Sequence, residues 1–111
     1  MKGIDPETEA AVRRFLDLIA PRYEVEGAIL YGSRARGTHR PDSDADVAVL
    51  MRGEQSYRAV KRDMAGIAFD ALLETSILVS ALPIWPDEWE NPEEYSNPAL
   101  LYNIYREGIR L

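Results

Sequence analysis

Apolar positions at helical spacing predict two long helices. Asp5 and Pro6 stand in the order favoured for a helix cap and first turn, and the helix that they begin is expected to end at Pro21. After Arg52-Gly53, a second helix is predicted from about Gln55 to Leu73. The apolar faces of these helices comprise Val12, Phe15, Leu16 and Ile19 in the first and Val60, Met64, Ile67 and Ala71 in the second.

Three apolar runs between and after these helices predict strands. They are Val25 to Tyr31, Val47 to Leu50 and about Ile77 to Ile84, and the second run is continuously apolar, as in a strand buried on both faces. A last helix begins at Asn97-Pro98 and ends before Gly108, with an apolar stripe of Leu101, Ile104 and Tyr105. The sequence therefore predicts an α/β (α+β) fold, a small sheet flanked by helices.

A glycine-serine pair, Gly32-Ser33, stands directly after the first predicted strand. A turn of this composition lets the backbone come close to a ligand and exposes N–H groups and a hydroxyl to a phosphate. Ser33 is expected to cap a short helix through Arg36, which would turn a positive helix end toward that anion. Of Arg34 and Arg36, one is expected to hold phosphate and the other to face a partner or solvent.

Two aspartates, Asp44 and Asp46, stand directly before the second apolar run. Side chains at i and i+2 of a strand lie on one face, so the two carboxylates are expected to converge. Carboxylates that close repel each other unless a cation lies between them, and clustered oxygens are the ligands that Mg²⁺ prefers, completed by substrate phosphates. Each motif alone also occurs in ordinary turns; their ordered combination indicates a metal and nucleotide site.

The segment from Gly32 to Asp46 resembles the signature of the minimal nucleotidyltransferases of the DNA polymerase β superfamily: Gly-Ser, ten residues, Asp-x-Asp. The resemblance implies a small mixed sheet and transfer of a nucleoside monophosphate, with release of pyrophosphate. Carried over by position, Gly32 and Ser33 would hold the triphosphate of ATP or another nucleoside triphosphate. Asp44 and Asp46 would hold two Mg²⁺ ions once ATP is bound.

One departure from this family concerns a third carboxylate, which active members commonly carry on a following strand. The third predicted strand has no acid, and Ser80 is its one polar residue over Ile77 to Leu82. Glu74, and less readily Asp70, would substitute if the preceding helix end reached the metals. The alternative is that both are ordinary solvated residues.

Composition narrows the range of partners. At 111 residues the chain is expected to form a single domain over residues 1–111, without room for a second domain that reads the acceptor. A formal net charge of −6 disfavours long nucleic acid, because phosphate contacts need a basic face. The lack of cysteine excludes disulfides and thiolate zinc sites, and His39 is expected to be a surface loop residue. No signal segment or long apolar run is evident, so a cytoplasmic protein without membrane contact is expected.

Aromatic and acidic residues are mixed between Trp85 and Tyr95, where they form either a docking surface or a cover over the protein's own core. An exposed strand edge or this segment would also support a homo-oligomer.

Three functions follow as hypotheses. Small members of the family often act as antitoxins of a helical HEPN ribonuclease, moving AMP onto a tyrosine of that toxin. The alternatives are a binding module that neutralises such a partner by contact alone and a small-molecule nucleotidyltransferase.

Overall fold

Four strands form one mixed sheet in the computed structural model, which describes residues 4–111. Two long helices cover one face of this sheet, and a shorter helix covers the other. In chain order the elements are α1 (Pro6–Ile19), β1 (Val25–Tyr31), α2 (Ser33–Arg36), β2 (Ala45–Met51), α3 (Tyr57–Thr75), β3 (Val79–Ile84), α4 (Pro86–Glu90), a 3-10 turn (Pro92–Glu94), α5 (Pro98–Glu107) and β4 (Ile109–Arg110).

The sheet has the strand order β3-β2-β1-β4. β1 pairs antiparallel with both β2 and β4, whereas β2 and β3 are parallel and are joined through α3. The end of β1 therefore lies beside the beginning of β2, and the beginning of β3 lies on the other side of it. These three strand ends meet at one end of the sheet.

Two apolar clusters fill the space on either side of the sheet. α1 and α3 pack on one face through residues that include Phe15 and Met64, and α5 packs on the other through Leu101 and Ile104. All four side chains are at most 1% exposed. Because β2 sends alternate residues to the two clusters, nearly its whole length is buried, which accounts for its continuous apolar run.

The predicted fold class is confirmed by these elements. Asp5 caps α1, as its side chain accepts from the Thr8 amide, and the four predicted core positions of α3 are buried. The last strand and α4 were not predicted, since two and five residues carry too little pattern. Tyr105, predicted as part of the apolar face of α5, is 62% exposed.

The aromatic segment after β3 packs against the protein's own core. Trp85 contacts the cluster under α1 and α3, and Trp89 contacts the cluster under α5. The ring of Trp89 stacks on Tyr105, with centroids 4.7 Å apart and planes inclined by 8°. Of the two interpretations of this segment, the structure supports the cover over the core.

None of the helices in residues 4–111 combines the length and the apolar composition that crossing a membrane requires.

Candidate active site

Asp46 and the Gly32-Ser33 turn are brought together by the register of β1 and β2. Tyr31, the last residue of β1, pairs with Asp46, so the turn that follows lies beside the Asp46 side chain. Gly32 has a φ of 75°, and a Cβ placed on it would overlap the Asp46 carboxylate oxygen Oδ2. A glycine is therefore needed here for both backbone conformation and space. The close approach that the sequence predicted for this turn is made to Asp46 itself.

Asp44 and Asp46 differ in their surroundings. Asp46 is the second residue of β2 and is half-buried, whereas Asp44 precedes the strand by one residue and is exposed. Burial raises the pKa of the Asp46 carboxyl, the nearby negative charge of Asp44 raises it further, and Arg36 opposes both. The two carboxylates are thus close enough to repel each other, as the i and i+2 spacing predicts.

A divalent cation fits this pair of acids. Asp44 and Asp46 offer only oxygen atoms, the donor type of hard cations, and a bound cation would relieve their repulsion. Within residues 4–111, however, no three His, Cys, Asp or Glu residues come together as a metal-binding group. Substrate phosphates and water would therefore have to complete the coordination, as is usual for Mg²⁺.

Ser80 lies where a third carboxylate would stand. In the parallel pairing of β2 and β3, Ser80 is the partner of Asp46, so both side chains leave the same face of the sheet. Ser80 is exposed. A hydroxyl thus replaces the expected acid at this position, and it offers a weak ligand and no anionic base.

Glu74 is engaged away from the pair of aspartates. Its carboxylate accepts from Arg14 of α1, with Glu74 Oε2 2.6 Å from Arg14 Nε. This hydrogen bond lowers the pKa of Glu74, and the pair is exposed between α1 and α3. In this structure Glu74 joins two helices, and its role as a third acid stays a prediction. Asp70 is an exposed residue of α3.

Ser33 is the first residue of α2, and Gly32 occupies the cap position without a side-chain hydrogen bond. The expected capping role of the Ser33 side chain is therefore wrong. The backbone of Ser33 closes the helix instead, because its carbonyl accepts from the amides of Gly37 and Thr38. Ser33 is half-buried, and its hydroxyl has no role in the cap and stays a predicted phosphate ligand.

Arg34 is buried, with 3% of its surface exposed. Its guanidinium donates to the carbonyls of Pro41 and Ser43 and to the hydroxyl of Thr8 on α1, at 3.1, 2.9 and 2.8 Å. These bonds use its three nitrogens inside the protein. The predicted contact of Arg34 with nucleotide is corrected accordingly: Arg34 ties the loop that leads to Asp44 onto α1.

Arg36 is the arginine that faces the candidate site. It is exposed, its guanidinium lies 2.9 Å from Glu107 at the end of α5, and its charge lowers the pKa of Asp46. The sequence predicted that the two arginines have different roles, and their burial separates them. Arg36 stays the predicted phosphate ligand.

Two further residues surround the site. Tyr31 was not predicted as part of it, yet this half-buried residue lies within electrostatic reach of Asp46, and burial raises the pKa of Tyr31 to about 12. The sequence feature that could have indicated Tyr31 is its position directly before Gly32. His39, expected as a surface residue, lies in the loop held by Arg34, and its Nε2 is 2.9 Å from the Asp5 carboxylate.

Comparisons with known proteins found one family model and a similar solved structure. The family model described as nucleotidyltransferase domain matches residues 12–99. A crystal structure of a protein from Sulfolobus solfataricus, provisionally described there as a nucleotidyltransferase, is similar with 16% identity and a TM-score of 0.43, covering 99% of this chain and 90% of that one. No curated protein matches. The family model spans most of the chain and includes both the Gly-Ser turn and the two aspartates, so the chain belongs to the nucleotidyltransferase domain family.

Proposed function

We propose that the chain transfers AMP from ATP to a protein hydroxyl, and that the acceptor is a tyrosine of a HEPN-type toxin that it neutralises as an antitoxin. The observation that carries the proposal is the arrangement of Asp44 and Asp46 beside the Gly32-Ser33 turn. In this proposal the turn binds phosphates, and the two aspartates beside it hold a cation.

Asp44 and Asp46 would hold two Mg²⁺ ions together with the triphosphate. When bound, such ions neutralise the charge that develops on the transferred phosphorus and on the leaving pyrophosphate. The backbone of the Gly32 turn, the Ser33 hydroxyl and Arg36 would orient the phosphates. In the transfer, the acceptor oxygen forms a bond to the α-phosphorus, the bond from that phosphorus to the bridging oxygen breaks, pyrophosphate leaves, and the hydroxyl proton passes to solvent.

The exposure of this end of the sheet supports a macromolecular acceptor. Asp44 and Ser80 are both exposed, and Asp46 is only half-buried. A small molecule would leave these groups in contact with water, whereas a protein surface laid over them would exclude it and strengthen the electrostatic interactions.

The test combines the chain with ATP labelled on its α-phosphate, Mg²⁺ and the protein encoded by the neighbouring gene, and intact mass is measured. We expect AMP units on the neighbour, and their loss in the double variant Asp44→Ala and Asp46→Ala. Asp42→Ala is the matched control, because Asp42 is an exposed aspartate in the same loop. Transfer that survives the double variant would contradict the proposal.

A second candidate function is neutralisation by contact alone, and Ser80 favours it. With a hydroxyl as the partner of Asp46, β3 offers no carboxylate at this position to assist proton removal. Binding of the neighbour without a change in its mass, unaffected by the double variant, would support this candidate.

A further inference from the structure

A groove runs along the outer edge of β3 and opens onto Asp44. It encloses about 320 Å³ between β3 and α3. Lys61 and Phe69 of α3 form one wall, Ser80 and Ala81 of β3 form the other, and Asp44 lines it as well. None of these residues was part of the predicted nucleotide site except Asp44. The groove therefore begins at the candidate metal ligand and leads away from the Gly-Ser turn.

The order of strands fixes which reactant this groove faces. Gly32 follows β1, Asp46 lies on β2, and Ser80 lies on β3, in this sequence across the sheet. Phosphoryl transfer places the attacking and leaving oxygens roughly in line. A triphosphate held at the Gly32 turn sends its pyrophosphate to the β1 side, so the acceptor hydroxyl arrives from the β3 side, where the groove lies.

Backbone groups along the groove suit a polypeptide. The Leu78 carbonyl accepts from the Ala45 amide on the β2 side. Because strand carbonyls alternate in direction, the Ala81 carbonyl, three residues later, points to the outer edge. There it accepts only from the exposed side chain of Lys61, at 3.3 Å. Over residues 4–111, no strand pairs with this edge. An added strand satisfies such groups, whereas a small molecule does not.

The wall of α3 supplies an apolar contact beside this edge. Phe69 is 57% exposed and lines the groove. Aromatic side chains are favoured anchors at protein interfaces, since they bury a large area with little loss of conformational freedom.

We propose that the groove between α3 and the outer edge of β3 binds an extended segment of the acceptor protein and directs its hydroxyl side chain to Asp44. This inference rests on the proposed transfer to a protein hydroxyl. Backbone pairing with β3 gives affinity, and contact of an aromatic acceptor side chain with Phe69 gives selectivity for tyrosine over serine.

The experiment uses an array of synthetic decapeptides, each with a central tyrosine between varied neighbours, together with labelled ATP and Mg²⁺. Wild type is expected to label a subset of peptides, and Phe69→Ala to raise the apparent KM for those peptides about tenfold with little change in kcat. Leu73→Ala is the matched control: Leu73 is 74% exposed one turn farther along α3 and does not line the groove. It is expected to change KM by less than about twofold.

A second variant tests the edge itself. Ala81→Pro removes an outward N–H, which an edge strand tolerates, and is expected to raise the peptide KM while binding of ATP with Mg²⁺, measured by calorimetry, stays at the wild-type level. Equal KM values for wild type, Phe69→Ala and Ala81→Pro would overturn the inference. So would the absence of any labelled peptide from a chain that binds ATP, or a dimer that either variant dissociates, since a second copy would then occupy the edge. Failure to bind ATP at all would instead overturn the proposed function.

Discussion

Gly32 and Asp46 are in such close contact that a single added carbon on the glycine would overlap the carboxylate. The turn proposed for phosphate and the acid proposed for metal are therefore one packed unit, and a change in either displaces the other.

Gly32→Ala is expected to lower transfer and the free energy of unfolding together. Gly32 combines a φ of 75° with a ψ of −158°, a conformation that costs a residue with a side chain about 1–3 kcal/mol, and the new carbon pushes the Asp46 carboxylate aside. Gly37→Ala is the matched control, because Gly37 has a φ of 78° and a Cβ there would meet nothing within 4 Å. Urea unfolding measures the loss of stability at each of these two positive-φ positions, and labelled-ATP transfer measures the additional effect on Asp46. Equal transfer by the two variants would refute the packed unit.

Asp46→Asn and Asp44→Asn should each reduce transfer more than about 100-fold, since loss of a metal ligand exceeds the loss of an outer-shell partner. The amide keeps the size of each side chain, so folding is expected to persist. Initial rates at saturating ATP, with Asp42→Asn as control, provide the measurement. Asp46→Asn with full activity would exclude Asp46 from the site.

Ser80→Asp should increase transfer. It places a carboxylate opposite Asp46 on the neighbouring strand, where it can accept the hydroxyl proton, an effect of about 10²–10⁴-fold in general-base catalysis. Ser80→Asn has nearly the same shape without the charge and is expected to stay near wild type. A fall in rate for the aspartate variant alone would indicate that the acceptor does not approach along β3.

Arg34→Ala is expected to destabilise the protein by about 3 kcal/mol, because it leaves partly buried carbonyl groups without their charged donor. Arg36→Ala removes an exposed ion pair with Glu107 and should cost at most about 1 kcal/mol. The urea midpoints of the two variants are compared. The ATP affinity of Arg36→Ala is measured as well and is expected to fall, because Arg36 is a predicted phosphate ligand. Similar midpoints would contradict the structural role of Arg34.

Tyr31 should ionise later than an exposed tyrosine. Its pKa rises from 10.0 to about 12, so between these values the folded chain retains a proton that the unfolded chain releases. Stability must therefore fall as pH rises through this range. Ultraviolet titration of tyrosinate should show a late phase that Tyr31→Phe removes, with Tyr102→Phe, a more exposed position, as control. A late phase that persists would assign it to another tyrosine.

Much of this fold was predictable because the signals are local. The helical spacing of Phe15 and Ile19 spans only a few positions of sequence. The same holds for the Gly-Ser pair and for the Asp-x-Asp motif, each taken by itself. The convergence of Asp44 and Asp46 followed from strand geometry alone.

The contacts of Glu74 and Arg34 were not predicted, because they join distant parts of the chain. Glu74 meets Arg14, sixty positions away, and Arg34 reaches a loop that folds back over it. An arginine beside a glycine-serine turn has the same local sequence whether it faces a phosphate or the interior, so only the path of the loop decides. The groove at Phe69 was missed for a similar reason, since an apolar residue on the polar face of α3 gives no periodic signal.

Because β1 and β3 both pair with β2, the candidate ligands lie near the first residues of β2. The connection to α3, residues 52–56, follows the last residue of β2. Seven strand residues separate the two by about 20 Å. All five connecting residues are exposed. A fluorophore or affinity handle attached there would lie at the opposite end of the sheet from the candidate site and leave that site free.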